Sequence, residues 1–126
     1  MKKTTAEWVR KAEYDYVIAQ ASSRSEVRLH DGVCFHCQQC AEKYLKARLV
    51  EAGQAFPKTH DLTTLLQRVL PHEPLCAALM PMAQSLTSCA VDFRYPGQSA
   101  TESEAKLAMQ HCNAIRTEAR HSLGLK

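Results

Sequence analysis

Three cysteines at three-residue spacing are the first residues in this sequence whose chemistry raises a question. They are Cys34, Cys37 and Cys40 in the stretch VCFHCQQCAEKY, with His36 between the first two. Thiolates and imidazole are ligands of zinc, and closely spaced thiols also take part in redox chemistry. The alternatives are a metal site, a redox site, and a helix face built from small buried thiols.

Helix geometry favours the third alternative. Each three-residue step turns an α-helix by about 300°, so the three sulfurs spread over about 120° and rise by about 9 Å. Tetrahedral zinc needs each sulfur about 2.3 Å from the metal, so its sulfur ligands must lie close together. One continuous helix can bring Cys34 and Cys37 close enough, but it cannot bring all three cysteines together. We therefore predict packing, with Cys37 and Cys40 buried and Cys34 toward the flank, at a second helix or a partner surface. No metal site and no cofactor is expected.

The composition is that of one ordinary globular domain. The chain has 126 residues, of which 45% are hydrophobic, and only four Gly and five Pro, so we expect a single domain over 1–126. A net charge of +3 permits an anionic partner without arguing for one. No run approaches the roughly 20 apolar residues of a membrane span, and charged residues between 7 and 15 exclude the apolar segment of a signal peptide. We therefore expect a cytoplasmic protein with reduced cysteines.

Apolar residues recur at helical spacing along the chain, and the period-two clusters typical of strands are absent. The predicted helices cover about 5–22, about 32–52, a short segment that ends before Pro71, about 74–94, and a last segment that begins after Thr101. The sequence therefore predicts an all-α, up-and-down bundle of four main helices and one short helix.

Local signals predict how these helices begin and end. Two capping boxes, Thr4–Glu7 and Thr101–Glu104, should open the first and last helices. Asp31 should cap the second helix, Gly53 should end it, and Thr59 or Asp61 should cap the short one. Pro81 lies inside the predicted fourth helix, so a kink or a break is expected there. The predicted apolar face of that helix comprises Leu75, Leu79, Met82, Leu86, Cys89 and Phe93.

Four stretches, spread over nearly the whole chain, form a recognisable pattern. They are Trp8–Tyr16 (W-x-x-K-A-E-x-D), Cys34–Ala47 (C-F-H-x-Q-Q-x-A-E-K-x-L-K-A), Lys58–Leu66 (T-H-D-L followed by L-L) and Arg94–Pro96 (R-Y-P). Each motif alone is weak, but together and in this order they are specific. The sequence resembles the HEPN domain family.

The resemblance implies a bundle of four to five helices that is often dimeric. Such proteins are frequently encoded beside a minimal nucleotidyltransferase, with which they form a two-component system of toxin–antitoxin type. Some members bind nucleotides, and other branches are metal-independent ribonucleases with an Arg-x4–6-His motif. We therefore expect a nucleotide-binding or interaction module that partners a minimal nucleotidyltransferase, with a ribonuclease as the alternative. The family pattern usually has small apolar residues at the positions of Cys37 and Cys40, which again favours packing.

Two pairs have the spacing of the ribonuclease motif, Arg24 with His30 and Arg116 with His121. In such an enzyme the arginine binds the scissile phosphate and the histidine is the general acid or base. About one match is expected by chance. Arg24 and His30 lie in a predicted helix connection, away from the place of the motif in the ribonuclease branch. Arg116 and His121 are therefore the candidate catalytic residues, and solvated cations at a helix C-terminus are the alternative.

Basic and aromatic residues around the second helix form another candidate site. The candidates for binding nucleotide or phosphate are Lys43, Lys46, Lys58, His60, Arg94 and Tyr95. Arginine binds phosphate through two hydrogen bonds, and tyrosine stacks on bases. Each residue could instead have a purely structural role. Lys43 and Lys46 could form an exposed face beside Glu42, His60-Asp61 could cap a helix, and Arg94 could form an ion pair with Asp15 or Glu42.

Two aromatic residues, Tyr14 and Phe35, fall outside the predicted apolar stripes. Exposed aromatic residues often anchor protein interfaces. We therefore also expect a homodimer, with the nucleotidyltransferase bound elsewhere.

Overall fold

The computed structural model describes residues 1–93 and 95–126. Within these ranges the α-helices are α1 (Lys3–Ser23), α2 (His30–Glu51), α3 (Leu62–Val69), α4 (Met80–Asp92) and α5 (Glu102–Ser122). A 3₁₀ turn at Pro74–Leu79 leads into α4, and no strand occurs in the ranges given. The predicted all-α fold is confirmed.

Helix α2 is the centre of the fold, because α1, α3, α4 and α5 all pack against it. Residues on most sides of α2 are therefore buried, including Tyr44 and Leu49, which are completely inaccessible. Helix α1 runs antiparallel to α2: the Thr5 hydroxyl donates a hydrogen bond to Glu51 Oε1 at 2.8 Å, near the start of α1 and the end of α2. The central position of α2 explains why its sequence lacks the wide polar face of a surface helix.

Several predicted helix ends are confirmed. Thr101 and Glu104 form the capping box of α5, with hydrogen bonds of 3.0 and 3.1 Å. Asp61 caps α3 by accepting the Thr63 backbone N–H at 3.0 Å. Gly53 has a φ of 69° where the chain leaves α2, a conformation that costs glycine little. Pro81 lies in the first turn of α4, just after the 3₁₀ turn, where its missing N–H breaks no helical hydrogen bond.

Two other predicted caps are wrong. Helix α1 begins at Lys3, so Thr4 lies inside the helix and caps nothing. Helix α2 begins at His30, so Asp31 lies in its first turn, and its carboxylate accepts the Ala100 backbone N–H at 2.7 Å. The Asp31 side chain, which local spacing predicted to cap α2, thus binds a backbone group that is distant in sequence.

The packing prediction for Cys37 and Cys40 is confirmed, since both are completely buried. Both lie beside the Cys112 thiol of α5, and this neighbour together with burial raises the pKa of each thiol, which stays protonated at neutral pH. Cys34, predicted toward the flank at a second helix or a partner surface, lies at a second helix: it is completely buried, because α4 covers it and brings Cys89 against it. Among the described residues, no group of three His, Cys, Asp or Glu side chains is arranged to hold a metal ion.

One side of the segment Pro74–Asp92 is left uncovered. Leu79 and Leu86 are buried as predicted, but Leu75 is 93% exposed, so its predicted inward position is wrong. The 19-residue segment has a mean hydropathy of 1.3, and only 22% of its residues are buried. By length and composition alone it is apolar enough to cross a membrane. A cytoplasmic location remains a prediction. The exposed residues of this segment are Pro74, Leu75, Ala77, Ala78, Pro81, Gln84, Ser88, Val91 and Asp92. We call one strip of them the α4 face, namely Leu75, Ala78, Pro81, Gln84, Ser88 and Val91.

Candidate functional site

A first polar cluster is centred on Asp15 of α1, whose side chain is only 6% exposed. Its Oδ1 lies 2.8 Å from His36 Nδ1, and its Oδ2 accepts a hydrogen bond from Lys43 Nζ at 2.5 Å. The seven-residue spacing of His36 and Lys43 puts them on the same side of α2, two turns apart, with Asp15 between them. We call these three residues the Asp15 cluster. It ties α1 to α2 with an ion pair at the edge of the core.

A second cluster is centred on Glu42 of α2, whose side chain is 4% exposed. Its carboxylate accepts hydrogen bonds from Lys46 Nζ at 2.9 Å and Gln38 Nε2 at 3.1 Å, and it lies 2.8 Å from His60 Nδ1. Burial alone would raise the pKa of Glu42, but the hydrogen bonds from Lys46, His60 and Gln38 outweigh burial and lower it. Glu42 is therefore an ionised carboxylate whose charge Lys46 balances. We call these four residues the Glu42 cluster.

A third cluster joins three helices through Glu13 of α1. Arg116 of α5 donates two hydrogen bonds of 2.7 Å to the two oxygens of Glu13, and Tyr44 of α2 donates its hydroxyl to the same carboxylate. Arg120 Nη1 donates to the Tyr44 hydroxyl oxygen at 3.0 Å. Burial would raise the pKa of Glu13, but the bonds from Arg116 and Tyr44 outweigh burial and lower it. We call Glu13, Tyr44, Arg116 and Arg120 the Glu13 cluster.

The candidate phosphate ligands on α2 already have carboxylate partners. Lys43 is bound to Asp15, and Lys46 is bound to Glu42 while its ammonium lies 5.5 Å from the centre of the Trp8 ring. His60 contacts Glu42 through one ring nitrogen, but 76% of its side chain is exposed. The two lysines therefore contribute little net positive charge to this side of α2.

The remaining candidates of that set lie on the surface or outside the described residues. Lys58 is exposed in the loop between α2 and α3, and Tyr95 is 66% exposed after α4. Arg94 is not among the described residues, so its predicted phosphate contact and its predicted ion pair both remain predictions.

The candidate catalytic pair, Arg116 and His121, is not joined by any hydrogen bond or ion pair between described atoms. Arg116 binds Glu13 with its guanidinium, and this bond raises the pKa of Arg116 further above its already high value. The guanidinium also stacks on the Tyr16 ring, 4.0 Å from its centre. His121 is exposed in the last turn of α5. The observed partner of Arg116 is thus a carboxylate of another helix, rather than the solvent expected at a helix end.

Sequence reasoning considered Asp15 and Glu42 as partners of Arg94 and left Glu13 out, so it missed the cations that these three carboxylates bind. Glu13 and Asp15 belong to the K-A-E-x-D part of the first motif, and Glu42 belongs to A-E-K in the second. A usable signal was present, since these acidic residues sit beside positions of the apolar stripes in long helices. Buried carboxylates of this kind need cationic partners, and the same motifs contain Lys43 and Lys46.

The fold and its clusters define an all-α bundle whose central helix is held by partly buried ion pairs. A sequence model described as "HEPN domain" matches residues 5–122, and the chain therefore belongs to the HEPN domain family.

Two solved structures resemble the chain closely in fold. The protein TT1696 from Thermus thermophilus is 25% identical, with a TM-score of 0.81, and the match covers 95% of this chain and 98% of that protein. ST0689, described as an archaeal HEPN homologue, is 23% identical, with a TM-score of 0.76 and coverage of 97% and 98%. A search of curated proteins found no significant match.

The lowered pKa values of Glu13 and Glu42 predict a loss of stability in acid. A carboxyl group whose pKa is lower in the folded state contributes stability above its unfolded pKa, near 4.5 here, and loses it as pH falls through the folded pKa. The free energy of unfolding should therefore decline below about pH 4.5, and the decline should be shallower for Glu42→Gln. Urea unfolding between about pH 3 and pH 7 measures both slopes.

Glu7→Gln is the matched control, because Glu7 is an exposed carboxylate on α1. Its slope should equal that of the wild-type protein. Equal slopes for all three proteins would contradict the role given to Glu42.

Proposed function

We propose that this HEPN protein is an interaction module that partners a minimal nucleotidyltransferase in a two-component system of toxin–antitoxin type. The observation that carries the proposal is the large amount of apolar and aromatic surface left exposed. Leu75 is 93% exposed, Tyr14 69%, Val91 55% and Phe35 40%. These residues lie on two surfaces, one formed by Pro74–Asp92 and one by α1 and α2, and exposed apolar patches are typical of surfaces that bind other proteins.

The α4 face supports self-association. Its residues recur every three or four positions from Leu75 to Val91, which corresponds to about 24 Å along a helix. None of its six members is charged. Homodimer interfaces are more apolar than transient ones, and a strip of this kind is complementary to itself across a two-fold axis. We therefore assign the α4 face to a second copy of this chain.

A separate surface beside the Asp15 cluster supports binding of the nucleotidyltransferase, and we assign to it Tyr14 and Phe35, which the sequence alone suggested for the homodimer. Tyr14 projects from α1 next to Lys43, where a cleft of about 380 Å³ also contains Arg10 and Lys11. Phe35 contacts His36 edge-on, with ring centres 5.1 Å apart. Aromatic anchors surrounded by charged residues are typical of interfaces between different proteins.

Nucleotide binding at Lys43 and Lys46 has weaker support than protein binding. A phosphate that took either lysine would leave Asp15 or Glu42 buried without its cation, and breaking a buried ion pair costs about 3–5 kcal/mol. The ribonuclease alternative meets the same difficulty, since Arg116 is bound to Glu13 through both carboxylate oxygens.

The assignment of the α4 face predicts a dimer that a single charge disrupts. Size-exclusion chromatography with light scattering should give the wild-type protein twice its 14.1 kDa chain mass. Leu75→Glu and Val91→Glu should each give monomers, because the two-fold axis places like charges against an apolar surface. Val17→Glu, at a position of α1 that is 61% exposed, should remain dimeric. A monomeric wild-type protein, or dimeric α4 variants, would count against the assignment.

The partner assignment predicts a complex with the nucleotidyltransferase encoded beside this protein. Isothermal titration calorimetry should show binding, and Tyr14→Ala and Phe35→Ala should each weaken it at least about tenfold, the loss typical of interface anchors. Leu107→Ala, at an exposed position of α5, should bind like the wild-type protein. Absence of a complex would refute the proposal. RNA cleavage by the HEPN protein alone that is lost in His121→Ala would support the ribonuclease alternative instead.

A further inference from the structure

Two of the six cysteines form a pair between α2 and α4. Cys34 of α2 is completely buried, and Cys89 of α4, which packs against the edge of the core, lies beside it. A separate group between α2 and α5 consists of Cys37, Cys40 and Cys112, all completely buried. All six cysteines are free thiols. The chain thus has two groups of neighbouring thiols, and the functions proposed above use neither.

The Cys34–Cys89 pair can be reached from the surface. Cys89 is partly exposed and lines a hollow of about 220 Å³ between α4 and α5, whose walls also include Ser85, Glu104 and Leu107. A molecule as small as hydrogen peroxide fits this hollow, since a water molecule occupies about 30 Å³ in the liquid. The thiols of the other group have no accessible surface. Access therefore selects Cys89 among the neighbouring thiols.

The hollow lies beside the α4 face rather than on it. Cys89 follows Ser88 of that face, and one residue turns an α-helix by about 100°. The Cys89 side chain is therefore on the α5 side of α4, where Glu104 and Leu107 form the opposite wall. Among the described residues, the hollow and the α4 face share only Ser88. Association through the α4 face and access to Cys89 are thus separate properties of α4.

The two thiols of the pair differ in their affinity for a proton. Cys89 lowers the pKa of Cys34, while Cys34 together with burial raises the pKa of Cys89. The proton of the pair therefore stays on Cys89, and Cys34 is the better nucleophile, because a thiolate attacks faster than a thiol. Access and nucleophilicity thus belong to different members: an oxidant reaches Cys89, and Cys34 is placed to attack the oxidised sulfur.

We propose that the Cys34–Cys89 pair is a modification site, at which hydrogen peroxide converts the two thiols into a disulfide bond between α2 and α4. In the first step the Cys89 sulfur attacks one peroxide oxygen, which gives a sulfenic acid and releases one water molecule. In the second step the Cys34 sulfur attacks the Cys89 sulfur, and the hydroxyl group leaves with the Cys34 proton as a second water molecule. The two thiols lose two electrons, and one peroxide molecule is reduced to two of water.

The disulfide bond ties α4, and with it much of the α4 face, to the central helix. It closes a loop of about 55 residues, and a cross-link over such a loop stabilises a protein by constraining its unfolded chain. The oxidised protein should therefore unfold at a higher urea concentration than the reduced protein. In a reducing compartment the thiols are the resting state, and the bond is a transient response to peroxide.

Counting thiols after treatment with hydrogen peroxide tests the site, with maleimide labelling in urea and mass spectrometry as the readout. The wild-type protein should fall from six labelled thiols to four, and dithiothreitol should restore six. Non-reducing electrophoresis should show single chains, because the bond forms within one molecule. In Cys34→Ala the second step is blocked, so dimedone should label the sulfenic acid on Cys89.

Two matched variants then locate the bond, in proteins whose circular dichroism is unchanged. Cys89→Ala should keep all five of its thiols under peroxide. Cys76→Ala, which removes a buried thiol outside both groups, should fall from five thiols to three. The proposal is overturned if the wild-type protein keeps six thiols, if Cys89→Ala still loses two, if the bond joins separate chains, or if oxidation lowers the urea concentration of unfolding.

Discussion

The bidentate ion pair between Glu13 and Arg116 fixes how the three longest helices lie relative to one another. It joins α1 to α5, and the Tyr44 hydroxyl adds α2 to the same carboxylate. Charge-assisted, two-point bonds of this kind constrain orientation as well as distance, which apolar packing alone does not do. The small buried side chains between α2 and α5, such as Cys40 and Cys112, allow the close approach that the pair requires.

The same interaction determines where ligands can bind. Because Arg116 is occupied by Glu13, it stacks on Tyr16 and does not face solvent as a free phosphate ligand. The Tyr16 hydroxyl in turn is hydrogen-bonded to Asn113 of α5 and Gln20 of α1. The Asp15 and Glu42 clusters act similarly on Lys43 and Lys46. These two lysines of the second motif are therefore not free to bind a phosphate.

Helical spacing and local signals were enough to predict the fold. The capping box at Thr101, the glycine at Gly53 and the break at Pro81 depend on neighbouring residues alone, and all three are confirmed. Asp31 was predicted wrongly because its partner lies far along the chain, and Leu75 because Pro74–Leu79 forms a 3₁₀ turn rather than part of an α-helix. Asp31 binds the Ala100 amide, and the 3₁₀ turn leaves Leu75 outside the core.

The candidate site was less predictable for the same physical reason. The spacing of Lys43 and Lys46 correctly placed them close together on α2, but their carboxylate partners decide what they can bind. Asp15 is 28 residues from Lys43, and Glu13 is 103 residues from Arg116. No local pattern fixes pairings across such separations.

A double-mutant cycle on Glu13→Gln and Arg116→Gln tests most directly whether this ion pair holds the structure together. Urea unfolding of the wild-type protein, both single variants and the double variant gives the coupling free energy. Each single variant should lose about 1.5–3 kcal/mol of stability, as expected for hydrogen bonds to charged groups. The coupling energy should exceed about 1 kcal/mol. Single variants as stable as the wild-type protein, or losses that add within about 0.5 kcal/mol, would contradict the account.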